Sequence, residues 1–408
     1  MSVLRKYYPG ATAVYGQNPN NLMYDNYFYC DGVNDHIEIQ AAIDYCAAIE
    51  DAYTIIGEIG VYEIKGNLTF AATDKVIFKG SGLPALGTSP TTTGGTVLNC
   101  YDDAQITSGS SARIIFKDIA FNFQGTYTDS CIDLLDNHVN SYNCLYKVGA
   151  TVPNGNAGNP SSTPSGICIA IGKFAGPSGV PMIWRGNLFY DSRQGSATAN
   201  CFIGFGVEEL MFEGNYLEPN FVITLVNPNF MGVFPVSSAV FSHNTIFTNA
   251  AWDTAGCQYY NQYMTSGSGK NITFYSNQFF TPADIANAHL YTNSGQMYVY
   301  GEMPIEVEGG YTPVDLSVGG AGTVYIRFSG RGYETWGSAT IPNGTATTGN
   351  IAHGLVGTPT YVSFTGTSSD TEDIYASTVD ATNIVGSVIG NVGGDRTVYY
   401  YARYSKVG

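Results

Sequence analysis

Along the middle of the chain one pattern of apolar and polar positions keeps returning. Two apolar residues flank a variable one, two variable residues follow, then an Asn, and a large apolar residue closes the phrase. It runs from Met182 to Phe189, Leu210 to Leu217, Ala239 to Ile246 and Ile272 to Phe279. Strand alternation puts Met182/Trp184, Leu210/Phe212, Ala239/Phe241 and Ile272/Phe274 on one face, which must point into a core. Weaker copies from Val139, Ile115 and Ile77 place the Asn-equivalent positions at 81, 119, 143, 187, 215, 244 and 277. Intervals of that size suit one coil of a parallel β-solenoid plus a loop of variable length.

Three columns follow from stacking such coils. An Asn in register with the Asn of the next coil can bond amide to amide, so Asn143, Asn187, Asn215, Asn244 and Asn277 read as a structural ladder, not as catalytic groups. Cys131, Cys168, Cys201 and Cys257 each open the strand before a phrase, with Cys100 an earlier candidate. Stacked strands about 4.8 Å apart allow bridging, and packing as buried thiols is the preferred reading. The position before each core aromatic, at Ile115, Val139, Ile183, Met211, Val240 and Thr273, faces outward yet is mostly apolar. Such a stripe is normally covered, by further copies of the chain or equally by a long loop of the same chain.

The pattern changes toward both ends. Residues 1–27 are polar and Tyr-rich, an expected arm or attachment segment. Residues 28–60 hold a capping helix and the first strands, with Asp35 as N-cap, Glu38 at the capping-box position, and Ile39, Ile43, Cys46 and Ala47 at helical spacing. A helix laid across the open end of a solenoid hides its unpaired backbone. Residues 61–300 form the expected β-helix, 301–335 a β connector, and 336–408 a C-terminal β domain of short strands between Gly and Pro.

Composition narrows the function classes. Charged residues are 12% of the chain, against about 25% in an ordinary soluble protein, so the surface is largely neutral and polar. With 33 acidic against 17 basic residues and no Lys/Arg cluster in the sequence, nucleic-acid binding is not expected. No run reaches transmembrane length and the N-terminus has no apolar leader, so no membrane insertion is expected, and either this is the mature chain or the protein leaves the cell without such a leader, as proteins released inside particles do. With no C-x-x-C or Cys/His cluster, neither metal nor cofactor is expected.

Asp31-Gly32-Val33-Asn34-Asp35 with Ile39-Gln40-Ala41-Ala42-Ile43-Asp44, then Gly60-Val61-Tyr62-Glu63-Ile64 and Phe78-Lys79-Gly80-Ser81-Gly82, resemble the opening of the pectate-lyase-like right-handed parallel β-helix superfamily. The resemblance spans roughly residues 28–300. Ile351-Ala352-His353-Gly354-Leu355 followed by Thr358-Pro359-Thr360-Tyr361-Val362 resembles a small module at the C-termini of phage and archaeal-virus tail proteins. The superfamily includes polysaccharide lyases, glycoside hydrolases and viral tailspikes. The resemblance therefore implies an all-β, right-handed parallel β-helix serving as a tail-spike or tail-fibre adhesin on the virion. Its implied partners are two further copies in a homotrimer, other virion tail proteins, and a host cell-surface glycan or glycoprotein.

Two readings stand beside it: a polysaccharide lyase or glycoside hydrolase on the same shaft, and a non-catalytic structural surface protein. A lyase of this kind needs carboxylates for calcium and a Lys or Arg base, and a hydrolase needs two carboxyls about 5–9.5 Å apart. Asp191 and Glu218 follow the Asn of adjacent coils and are the candidate catalytic pair, although turn capping accounts for them as well and is preferred. Trp252, Tyr259, Tyr260 and Tyr263 are the candidate sugar-stacking residues.

Overall fold

The computed structural model describes residues 11–20, 26–84, 94–127, 130–134, 137–149, 169–172, 181–191, 201–206, 209–217, 221–224, 238–247, 259–261, 271–281, 290–292, 296–300, 305–307, 316–318, 323–327, 334–355 and 357–404. Three parallel sheets make up the shaft. The first has 12 strands and ends on Thr323–Arg327. The second has nine, from Gly60–Ile64 to Ile305–Val307. The third has nine, from Leu68–Phe70 to Leu316–Val318. From Ala52–Gly57 onward consecutive strands enter different sheets, and each pairs with the strand one coil further on, as Lys75–Lys79 does with Arg113–Lys117. Parallel pairing needs a crossover, and here the crossover is the rest of the coil. Crossovers between parallel strands are right-handed in nearly all proteins, and the fold is a right-handed parallel β-helix.

Hydrophobic alternation sets the register. Ile55, Phe78, Phe116, Ser141, Trp184, Phe212, Phe241 and Phe274 stack in one inward column of the first sheet. Their rings, with those of the other two sheets, form a chain of contacts along the axis. Phe78–Phe116 centroids lie 6.3 Å apart, Phe116–Phe121 5.1 Å, Phe121–Tyr146 5.4 Å, Tyr146–Trp184 5.4 Å, and Phe241–Phe274 4.9 Å. Rings at these separations add about 0.5–1.5 kcal/mol per pair beyond the area they bury.

The coil that opens at His138 departs from the expected register by one residue. Ser141, not Asn140, stands in the aromatic column, and Tyr146 of the second sheet fills the space. Val139 is consequently inward and fully buried, and Asn140 takes the outward place assigned to it. Asn143 likewise leaves the ladder, and Cys144 occupies that position. The cysteine column breaks for a similar reason: Cys100 lies in the second sheet beside Ile64 and Phe123, and Cys201 pairs with Phe221. Cys30, Cys46, Cys100 and Cys144 are buried free thiols, and Cys131 is buried as well. Cys168 and Cys257 lie outside the described residues.

The solenoid also reaches further than its periodicity suggested. Within the expected arm, Ala11–Gly16 pairs with Tyr27–Tyr29 and Ala52–Gly57, burying Ala13 and Tyr15. Beyond residue 300, Ile305–Val307, Leu316–Val318 and Thr323–Arg327 continue the three sheets.

The helix α1 (His36–Ala47) caps the first coil on Ile39, Ala42, Ile43 and Cys46. Asp35 precedes it, and its carbonyl accepts from Ile39 N at 3.0 Å, but its side chain makes no cap hydrogen bond. Its carboxylate instead accepts from Gly32 N at 2.8 Å and from Glu63 N at 2.8 Å, on the edge strand of the second sheet. Gln40 treats the edge strand of the third sheet as a partner strand would: its Nε2 donates to Thr69 O at 2.9 Å and its Oε1 accepts from Thr69 N at 2.8 Å. Side-chain amides and carboxylates thus close edges that would otherwise recruit another chain.

The C-terminal part packs two antiparallel sheets face to face. Glu334–Ile341, Arg396–Arg403 and Tyr361–Gly366 form one; Ile351–Ala352, Asn383–Ser387 and Tyr375–Val379 form the other. Ile341, Val388, Val392 and Val398 fill one core cluster between them, and Leu355, Ile384 and Ala402 a second. His353 is structural: its Nδ1 accepts from Leu355 N at 3.0 Å, which leaves Nε2–H to donate to Asp380 O at 3.0 Å.

Candidate functional site

The turn between the first two sheets is built from two residues per coil. The first is left-handed in every described coil from Asp118 onward: Asp118, Asn143, Gly186, Gly214, His243 and Ser276 have φ between 49° and 67°. Gly186 and Gly214 supply that conformation without a Cβ penalty. The second is the ladder residue. Asn215 Oδ1 accepts from Asn187 N at 2.9 Å and Asn187 Nδ2 at 3.0 Å, while its own Nδ2 donates to Trp184 O at 2.9 Å and Asn244 Oδ1 at 3.1 Å. Asn244 repeats the arrangement onto Asn277. The chain of amides starts at Asn187 Oδ1, which accepts from Cys144 N and Ser141 Oγ at 2.9 and 2.8 Å. Every amide atom of Asn215 is spent on the fold, so the column has no chemistry left to offer a ligand.

The outward face of the first sheet carries an aligned stripe of Ile77, Ile115, Asn140, Ile183, Met211, Val240 and Thr273. Ile77 is exposed and the others are half-buried. Lys75 and Arg113 flank it on one side, Lys79 and Lys117 on the other, as register neighbours in adjacent coils. This is a Lys/Arg cluster that linear order hides, because more than thirty residues separate its two halves. Further along, Arg185 Nη2 meets Glu213 Oε2 at 2.6 Å, an exposed pair of the kind worth less than about 1 kcal/mol.

The outward face of the second sheet holds a different row, aligned as Asn99, Asn122, Lys147 and Tyr190. Asn122 Nδ2 donates to Asn99 Oδ1 at 2.7 Å, and Lys147 Nζ sits 5.6 Å from the Tyr190 ring centroid. Lys147 is 8% exposed, and burial pulls its pKa down. A lysine so desolvated can neutralise the carboxylate of a bound ligand or, deprotonated, accept a proton. Its position is not legible from composition, for nothing near it in sequence marks it out. Only the coil register shows that Lys147 follows Asn122 and Asn99 in one row.

Of the residues singled out from sequence, Asp191, Tyr259 and Tyr260 lie in strands whose backbone is described but whose side chains are not. Glu218, Trp252 and Tyr263 lie outside the described residues. Among the described residues, no group of three or more His, Cys, Asp or Glu side chains could hold a metal ion, and no helix is long and apolar enough to cross a membrane.

No protein-family model matches the chain and no curated protein sequence does. Solved structures similar to it include the tailspike gp61 of Pseudomonas phage phi297, at 10% identity over 90% of this chain and 92% of that one, with a TM-score of 0.33. ORF18 of Geobacillus virus E2 is similar at 10% identity over 90% of this chain and 76% of that one, TM-score 0.36. The Gp54 tailspike of Acinetobacter baumannii bacteriophage AP22, solved in complex with A. baumannii capsular saccharide, aligns at 10% identity over 90% and 94%, TM-score 0.30.

Proposed function

We propose that the chain is the subunit of a viral tail spike or tail fibre, a homotrimer at the virion surface that other tail proteins hold and that attaches the particle to a host surface glycan or glycoprotein. The observation that carries this reading is the half-buried apolar stripe on the first sheet. A shaft exposing Ile77, Ile115, Ile183, Met211 and Val240 in one line gains by packing against a neighbour. Around a threefold axis each shaft covers another's stripe, and the flanking Lys and Arg residues meet a surface that is acidic overall, at a net charge of −16 per chain. Light scattering after size exclusion tests it. Three times the 43.7 kDa chain mass supports the reading, and a monomer overturns it.

Lys147 favours a second reading, a polysaccharide lyase on the same shaft, since a desolvated lysine is suited to proton abstraction. Incubation with acidic polysaccharides, followed by the ultraviolet absorbance of unsaturated uronide ends, decides this. Absorbance that rises with wild type and not with Lys147→Met supports cleavage. Asp191→Asn and Glu218→Gln play the same part for hydrolysis, read as new reducing ends.

A further inference from the structure

In the C-terminal domain, one face of the sheet formed by Glu334–Ile341, Arg396–Arg403 and Tyr361–Gly366 covers the core, and the other does not. Alternation and register put Glu334, Trp336, Ser338 and Thr340 on the uncovered face, beside Arg403, Tyr401, Tyr399 and Thr397 of the central strand and Tyr361, Ser363 and Thr365 of the third. The face is aromatic and hydroxylated, with no aliphatic side chain on it. Trp336 is 72% exposed, Tyr361 57% and Tyr399 55%. Trp336 and Tyr401 are direct partners across the strand pair, Tyr399 lies two residues along the same strand, and Tyr361 and Tyr401 have ring centroids 6.1 Å apart. The inner face already buries Ile341, Val398 and Ala402 completely, so the core does not need these rings to fill it.

The two charges on the face are spent on each other. Arg403 Nε lies 3.6 Å from Glu334 Oε1, and Glu334 also accepts from the Tyr401 hydroxyl. What remains is a flat, neutral surface of rings set among Ser and Thr hydroxyls. Subunit interfaces are also rich in aromatic rings but are depleted in Ser and in acidic residues, whereas here the rings are interleaved with Ser338, Ser363, Thr365 and Glu334. A sugar ring matches it, with C–H groups on one side to lie over an aromatic ring and equatorial hydroxyls at its rim to bond the neighbouring Ser, Thr and Tyr. A polyanionic chain is disfavoured by the net charge of −16.

We propose that this face binds a neutral glycan chain, whose successive sugar rings stack on Trp336, Tyr401 with Tyr399, and Tyr361. The inference rests on the attachment role above and gives that role a site on the C-terminal domain, apart from the shaft. The decisive experiment applies the full-length protein to an array of neutral and acidic glycans. It compares wild type, a Trp336→Ala/Tyr399→Ala double variant, and Tyr375→Ala, an exposed tyrosine on the other sheet. The account expects wild type and Tyr375→Ala to bind neutral chains alike, and the double variant to bind at least about tenfold more weakly with unchanged circular dichroism and solution mass. Undiminished binding by the double variant overturns the platform and leaves the attachment role standing. Wild-type silence on every glycan overturns the platform and, with it, attachment through a glycan. A fall in solution mass in the double variant assigns the face to subunit contact and overturns the platform alone.

Discussion

Replacing Asn215 by Ala tests the turn ladder where its consequences can be worked out bond by bond. The side chain is 1% exposed, and its Oδ1 is the acceptor for both the Asn187 backbone N–H and one Asn187 Nδ2 hydrogen. Truncation orphans those two buried donors and takes one donor from Trp184 O. At about 1–3 kcal/mol for each buried donor left unsatisfied, the loss is roughly 2–6 kcal/mol, a large share of the 5–15 kcal/mol that usually holds a protein folded. Asn143→Gly is the matched comparison. Asn143 is exposed, has φ near +50°, and lies outside the amide chain, so Gly accepts its backbone and stability should stay within about 1 kcal/mol. Guanidinium titration read by tryptophan fluorescence measures both, since Trp184 is buried one turn from Asn187. A loss below about 1 kcal/mol for Asn215→Ala, or equal losses for the two variants, refutes the ladder.

Other expectations follow from single sites. Gly186→Ala and Gly214→Ala both force Ala into the left-handed region, costing about 1–2 kcal/mol, and at Gly186 the new Cβ also displaces the exposed Asn143 amide; thermal scans should show both variants less stable than wild type, and an unchanged midpoint for either contradicts the turn geometry. Lys147 has its folded pKa lowered by burial, so its protonation penalises folding below that value and the penalty fades as pH rises toward the unfolded value of about 10.4. Lys147→Met should therefore stabilise at neutral pH, with the advantage shrinking by pH 10, and a constant difference across that range rejects the desolvation account. Burial raises the Cys144 thiol to about 11 and pushes Cys100 higher still; iodoacetamide at pH 8 should label both only after unfolding, and native-state labelling contradicts their burial.

Where a coil carries an aromatic in the first sheet and an Asn three residues later, its sequence states its own register, as at Trp184/Asn187 and Phe212/Asn215. The coil at His138 does not, because Ser141 and Tyr146 divide between two sheets the work one aromatic does elsewhere, and local pattern cannot see that exchange. The strand at Ala11–Gly16 escaped notice for another reason: it is short, and it is buried by α1 and a strand some forty residues away, not by its neighbours. The functional surfaces were the least legible. Lys75, Lys79, Arg113 and Lys117 become a cluster only once coils stack. The C-terminal aromatic face could have been found from alternation, since Tyr399 and Tyr401 share a face of one strand, but assigning Trp336 and Tyr361 to it needs the antiparallel register.

A cryo-electron microscopy reconstruction of the native protein tests the central claim most directly. The account predicts three parallel β-helical shafts around one axis, with Ile77, Ile115, Ile183, Met211 and Val240 covered by a neighbour and the Trp336–Tyr399–Tyr361 face open to solvent. Single shafts with that stripe bare, or copies joined through the aromatic face, would contradict it.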